Sequence, residues 1–326
     1  MLALGFKMFG DNKALEADPI QHLYQVYVKI NERLTQEQDE IKSLEATGKD
    51  ASTLKNEGLD EQARQYFKAM CDNEPEAIAM WKKFREYSIE RYKSAYARLN
   101  IHFDDYVGES LVRDESMRSA EQQLADIGLS EESQGATIVD FTKHIPGKAG
   151  KTLGKALIRK KDGTSLYLTR DLGALHERRA QYQFDQMIYV VATDQEVHLQ
   201  QLFKIIELTD KGNLRSRLTH ISFGLVLGMS TRRGTVVFLD DVLRDVGEKM
   251  HEVMKMSDVK YAQISEPEKV ADILGISSVM VQDMSGKRYA SSSQPMSIFS
   301  AHQPPPLITI VLTILGSTTT VSIWIQ

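Results

Sequence analysis

An α/β fold with a parallel sheet and a large helical region is what this 326-residue sequence predicts, on three observations. Residues 18 to 127 show the three- and four-residue spacing of amphipathic helices. From residue 136 to 249 the pattern changes to short β-branched runs alternating with helical ones. One run, "MIYVVAT" at 187–193, is continuously apolar, as in a strand buried on both faces of a parallel sheet.

The elements follow in order. A polar stretch from Ala46 to Asn56 interrupts the helical region. Beyond it, Ile78, Trp81, Phe84, Ser88, Tyr92, Ala95 and Leu99 form one stripe of a helix over Glu76 to Leu99. Such a stripe reads as a packing face, and Asp72 and Asn73 ahead of Glu74-Pro75 mark its start. "ATIVDF" (136–141) reads as a strand. "ALIRK" (156–160) and "TSLYLT" (164–169), joined around Lys161-Asp162-Gly163, read as a hairpin with an Asp-Gly turn. After "MIYVVAT" comes a helix over about 195–209, then the strand-like "HISFGLVLG" at 220–228. Strand, helix and strand at this spacing predict a right-handed βαβ unit, whose ligands belong at the carboxyl ends of its strands. There is no internal repeat.

Composition narrows the function. The net charge is −5 with 26% charged residues, so nothing in the total demands a nucleic acid; binding depends on where the cations sit. Cys71 is the only cysteine and the eight histidines are scattered without an H-E-x-x-H, which predicts no disulfide framework and no protein-ligated metal. A reducing, intracellular compartment is expected. Residues 1–12 are too short and too weakly apolar for a signal peptide. After Arg288 no charged residue occurs, and the last twenty, "LITIVLTILGSTTTVSIWIQ", have the length of a membrane span. Their recurring Thr and Ser, their β-branched content and the absence of a basic flank favour a strand or an aggregating segment over a membrane helix. The tail is therefore expected to lie outside the fold, with no membrane partner.

"HIPGKAGKTLGKALIRKKDG" (144–163) contains Gly150-Lys151-Thr152, the ending of a phosphate-binding P-loop. The motif also needs a glycine five residues earlier, so that backbone N–H groups curl around the phosphates. Ile145 stands there, and the following residues read as a hairpin rather than a phosphate-receiving helix. The stretch from Lys143 to Lys161 carries seven Lys or Arg and no acid. It is either a solvated basic loop or a contact for a polyanion.

Longer matches carry more weight. "LYLTRDLGALHER" (166–178), "MIYVVATDQEVHLQQLFKII" (187–206), "FGLVLGMSTRRGTVVFLDDVL" (223–243) and "KYAQISEPEKVADILGISSVMVQDMSGKR" (260–288) together resemble the arginyl-tRNA synthetases, most of all the cytosolic fungal branch. "GFKMFGDNKALEADPIQHLYQVYVKIN" (5–31) and "FREYSIERYKSAYARLNI" (84–101) extend the likeness over about residues 4–288. The resemblance implies a Rossmann-like class I synthetase catalytic domain with a large helical insertion. It implies an arginine–tRNA ligase that uses L-arginine, ATP with Mg2+ and tRNA(Arg), in the cytoplasm and with a mitochondrial pool left open. The implied division is 1–135, mainly helical; 136–249, the α/β core with its MSTRRG loop; 250–288, the helical start of the stem and anticodon-binding region; and 289–326, the uncharged tail.

An arginine site must neutralise a planar guanidinium, which a carboxylate does through paired hydrogen bonds. Tyr167 and Asp171 are four apart, so at helical spacing they face one way. The resemblance gives them the arginine side chain; from pattern alone, Asp171 as a helix cap with Tyr167 in the core reads as well. Gln195 matches a family glutamine that contacts the amino acid. His198, one turn further on, is expected at the nucleotide or on a plain helix face. "GMSTRRG" (228–234) stands where the family has its K-M-S-K-S signature. A mobile cationic loop there stabilises charge on phosphate oxygens. Ser230, Arg232 and Arg233 are thus the implied catalytic residues, and Gly228, Met229, Ser230, Arg233 and His198 the implied ATP contacts.

The departures are as specific. No H-x-G-H occurs in the 326 residues, and the chain opens where the family is already past that motif. The expectation is an incomplete Rossmann-like domain whose first strand is missing, acting as a synthetase only by family. The alternative is a non-catalytic remnant that binds RNA or protein, or has no function. Loss of one preorganised donor at a developing charge slows chemistry about 10²- to 10³-fold. The 326-residue chain is therefore expected to leave arginine-dependent ATP–pyrophosphate exchange at background, with or without tRNA. Robust exchange by the purified chain would refute this.

Overall fold

The computed structural model describes residues 1–161, 163, 165–210, 212–224, 234, 236–285 and 321–325. Helices α1 (Leu2–Phe9), α2 (Asn12–Ala17), α3 (Pro19–Ala46), α4 (Ser52–Glu57), α5 (Leu59–Cys71) and α6 (Pro75–Arg98) come first. Next are α7 (Asp114–Asp126), β1 (Glu131–Ser133), β2 (Ala136–Asp140), α8 (Phe141–His144), α9 (Lys148–Leu153) and β3 (Lys155–Arg159). Then α10 (Tyr167–Tyr182), β4 (Gln186–Ala192), α11 (Glu196–Thr209) and β5 (Leu218–Phe223) alternate. The remainder is α12 (Leu239–Lys255), α13 (Asp258–Tyr261), α14 (Pro267–Ser285) and β6 (Val321–Ile325). Helix predominates over sheet among the described residues.

The chain forms two compact units: residues 1–104 with 228–285, and residues 105–227 with 286–326. In the first, Leu15, Leu23 and Phe84 make a small core backed by Leu2, Phe6, Met80 and Tyr87. The α6 stripe is only partly covered, with Phe84 buried and Tyr92 46% exposed. Arg91–Asp240 (2.6 Å) and Arg98–Asp272 (2.7 Å) tie α6 to α12 and α14.

The second unit holds the larger core. Strands β1-β2-β3 form an antiparallel sheet, and β5-β4-β6 a parallel one. The β4–β5 register runs from Met187↔Leu218 to Ala192↔Phe223, the parallel pair joined by a helix that the spacing predicts. On β4, Met187, Tyr189 and Val191 are buried among Leu175, Leu202, Ile205 and Leu218. Val321–Ile325, in the tail expected to lie outside the fold, pairs with β4 on its other side from Gln186↔Val321 to Val190↔Ile325. Among the described residues no helix is long and apolar enough to cross a membrane.

Two sequence expectations meet the structure differently. Gly150-Lys151-Thr152 lie inside α9, not in a phosphate-wrapping loop. A Cβ at Gly150 would stand 2.2 Å from the Ile145 carbonyl oxygen, so this glycine serves close backbone packing. The hairpin expected from "TSLYLT" is a correction: it shrinks to a single bridge between Arg159 and Ser165, and helix begins at Tyr167. Asp162 and Thr164 lie outside the described residues. Burial decides the change, because Leu168, Leu172 and Leu175 reach the core only at helical spacing.

Helix α10 is the post on which residues 105–117 hang. Tyr182 donates to Asp105 at 2.6 Å. Glu177 accepts from the Arg113 backbone N–H (3.0 Å), from Arg113 Nε (3.1 Å) and from the Ser116 hydroxyl (2.6 Å). Gly173 lets α7 come close, since a Cβ there would be 3.2 Å from Met117 N. Burial pushes the Glu177 carboxyl up, yet the bonds from Ser116 and Arg113 outweigh it and hold it below its ordinary value. A depressed carboxylate stabilises the fold above its unfolded pKa, and that stability is lost as pH falls through the folded one. Glu177→Gln should therefore cost about 1–3 kcal/mol at pH 7, in the range for hydrogen bonds to a charged group. The urea midpoints of variant and wild type should converge on acidification below the carboxylate range; an equal gap at both pH values would disprove it.

Candidate functional site

The site is assembled where β3, β4, α10 and α11 meet. Thr169 donates its hydroxyl to the Ile158 carbonyl at 2.6 Å, pinning the first turn of α10 to β3. Glu121 reinforces this entry, pairing with Arg159 and accepting from Ser165 at 3.1 Å. Tyr167 opens the helix and Asp171 follows one turn later. The cap reading is excluded, because Leu166 is the N-cap residue and Tyr167, 66% exposed, is not core.

Past the carboxyl end of β4 the chain makes a tight turn over Thr193–Gln195 and enters α11, with Gln195 as its N-cap residue. Gln195 is half-buried. His198, in the first turn of α11, points its Nε2 at Asp171 Oδ2, 2.6 Å away. An ionised carboxylate only accepts, so Nε2 carries the proton in this bond. Side-chain exposures of 24% for His198 and 16% for Asp171 place the pair in a part-buried setting.

Two further charged groups were not legible in the sequence. Glu109, in the turn Glu109–Leu111, has its carboxyl pushed up by burial and by the charge of Asp171, with Arg170 and His198 opposing. Arg178 lies two helical turns beyond Asp171; burial draws it down, and Tyr189 and Asp171 pull the other way. Burial also pushes the Tyr189 phenol up. Asp171 is thus within electrostatic reach of the Arg178 guanidinium and of a second carboxylate, Glu109. Two carboxylates in reach of each other make a place for a cation. The spacing signal for Glu109 is absent because 62 residues separate it from Asp171.

Gly228, Met229, Ser230, Arg232 and Arg233 lie outside the described residues. Among the described residues, no group of three or more His, Cys, Asp or Glu is arranged to hold a metal ion.

Comparison with known proteins adds identity to geometry. Residues 1–292 match the family model described as tRNA synthetases class I (R), catalytic domain. The chain is 49% identical over 288 residues to the cytoplasmic arginine–tRNA ligase of Saccharomyces cerevisiae, covering 88% of this chain and 44% of that one. It is 43% identical over 312 residues to a probable cytoplasmic arginine–tRNA ligase of Schizosaccharomyces pombe, covering 94% and 50%. Among solved structures, the arginyl-tRNA synthetase of Plasmodium falciparum aligns with a TM-score of 0.59 at 21% identity, over 74% of this chain and 40% of that chain. The chain spans about half the length of the curated relatives it matches.

Proposed function

This chain belongs to the arginyl class I tRNA synthetases, and on that premise we propose that it carries the arginine-selecting part of an arginine–tRNA ligase. The proposed reaction joins the arginine carboxylate to the α-phosphate of Mg-ATP, releasing pyrophosphate. The terminal ribose hydroxyl of tRNA(Arg) then takes the arginyl group. The supporting observation is the Asp171–His198 bond of 2.6 Å, with Glu109 in electrostatic reach, beyond the carboxyl end of a parallel strand.

In this reading Asp171 and Glu109 face the guanidinium, and Tyr167 and Gln195 flank it. His198 has its Nε2 on Asp171 in the structure, so its proposed role moves from the nucleotide to holding that carboxylate. Ser230, Arg232 and Arg233 remain the proposed phosphate-side groups, with Gly228 and Met229, on sequence order alone. The parallel strands β5-β4-β6 are read as part of a Rossmann-like core, and residues 250–288 as the start of the stem. A cytoplasmic location is proposed from the likeness to cytoplasmic relatives, a mitochondrial ligase of Saccharomyces cerevisiae being 41% identical over 290 residues.

Removing one partner of a part-buried charge pair costs about 2–5 kcal/mol. Asp171→Ala should weaken arginine binding by that amount in calorimetry and leave ATP binding unchanged. Equal losses for both ligands would mean a damaged fold and end the specific role.

Glu109 supplies a pH test. Burial first, and the charge of Asp171 second, raise its carboxyl above the ordinary glutamate range, so it takes up a proton at higher pH than an exposed glutamate and then no longer attracts a cation. Arginine affinity should therefore fall as pH falls, with its inflection above the ordinary glutamate range. Glu109→Gln should bind more weakly near neutrality and lose that inflection. An unchanged profile in the variant would remove Glu109 from the site.

A further inference from the structure

The basic stretch from Lys143 to Lys161 is sorted by the fold into two kinds of cation. Lys143 pairs with Glu131, Lys155 with Asp140 at 3.2 Å, and Arg159 with Glu121. These are structural. Lys148 and Lys151, on α9, have no ion pair among the described residues.

Lys148 stands at the rim of a cleft of about 480 Å³ between α9 and α11. Lys204 and Arg215 line the opposite wall, with the Gln200 amide beside them and Phe203 as apolar floor, while the Thr152 hydroxyl donates to the Lys148 carbonyl at 3.0 Å. The walls are fixed. Gln201 donates to the Leu153 carbonyl at 2.7 Å, joining the end of α9 to α11. Arg215 lies over the Phe203 ring at 5.0 Å and donates one N–H to the Leu218 carbonyl at 3.1 Å. An arginine has five N–H groups, so the rest of the fork is open to an acceptor. Glu207 also lines the cleft and holds Lys204 at 2.8 Å, which leaves three cations against one carboxylate.

This cleft is separate from the arginine site. At 3.6 residues per turn, Gln200, Phe203, Lys204 and Glu207 lie roughly 120–180° around α11 from His198. One helix therefore presents His198 to Asp171 and a cationic wall on its far side.

We propose that the cleft between α9 and α11 binds phosphates of an RNA backbone through Lys148, Lys204 and Arg215. The phosphate class follows from the fixed guanidinium fork and two ammonium groups around an apolar floor. Its volume suits a sugar-phosphate unit and not a folded partner. The choice of RNA as the source rests on the synthetase reading.

The test is fluorescence anisotropy of labelled single-stranded polyuridine on the full chain, titrated at several salt concentrations. Lys148→Ala with Lys204→Ala should weaken binding about ten-fold and reduce the salt slope by about 1.4, at ~0.7 for each phosphate no longer neutralised. Lys148→Arg with Lys204→Arg should retain both, which separates charge from folding. Lys42→Ala with Lys249→Ala, on exposed helix faces elsewhere, should leave both near wild type. An equal loss in that control pair, or an unchanged slope in the cleft pair, overturns the proposal. So does binding to phosphatidylserine vesicles with none to polyuridine. Arginine binding is measured in parallel: retained in the cleft pair, it keeps the fate of this site distinct from that of the arginine reading.

Discussion

Asp171 is a carboxylate with only 16% of its side chain exposed, and much of the second unit is arranged by that fact. An ion withdrawn from water costs several kcal/mol unless donors and opposite charge surround it. Here α11 supplies the donor, His198 Nε2, at 2.6 Å. Helix α10 itself supplies the opposite charge, because Arg178 is seven residues on and seven residues are close to two turns. Strand β4 places Tyr189 within electrostatic reach of Arg178. The His198–Asp171 bond thus joins α11 to α10, and β4 packs with both through their shared apolar core.

The same constraint explains how a ligand-free protein would be ready for a cation. Glu109 is held near Asp171 because Arg113 and Ser116, a few residues later, are tied to Glu177 on α10. The Glu109 carboxyl is raised first by burial and second by the charge of Asp171, with Arg170 and His198 opposing. On the proposed reading, an incoming guanidinium would offset the Asp171 contribution to that shift. The bonds to Glu177 thus hold the segment just after Glu109 against α10.

Much of this was legible in the sequence, and the limits have physical causes. The β4–α11–β5 order followed from run length and period, and Tyr167 and Asp171 were paired by their spacing of four. "TSLYLT" misled because three of its residues, Thr, Tyr and Thr, favour strands locally. The burial of Leu168, Leu172 and Leu175 in the common core overrode that preference. Glu109 carried no local signal at all: its role depends on a fold that closes a long separation. The basic stretch was visible as charge, but which of its lysines are neutralised depends on Glu131, Asp140 and Glu121, which only tertiary structure brings alongside.

The parallel sheet shows the same interplay of local composition and tertiary demand. Strand β4 is central: β5 satisfies its backbone on one side and β6 on the other, each pairing in parallel register. Without a neighbour, the β6 side of β4 would offer a row of N–H and C=O groups, and such an edge recruits any extended segment within reach. The segment it pairs with, "VSIWI", is uncharged and alternates β-branched residues with others. Those properties read as an aggregation hazard when the segment is considered alone. They are also what an open edge selects, because the pairing is made through backbone and penalises charge beside an apolar strand. The feature that looked most foreign in the sequence is thus compatible with the strand beside it for the same reason that it looked hazardous.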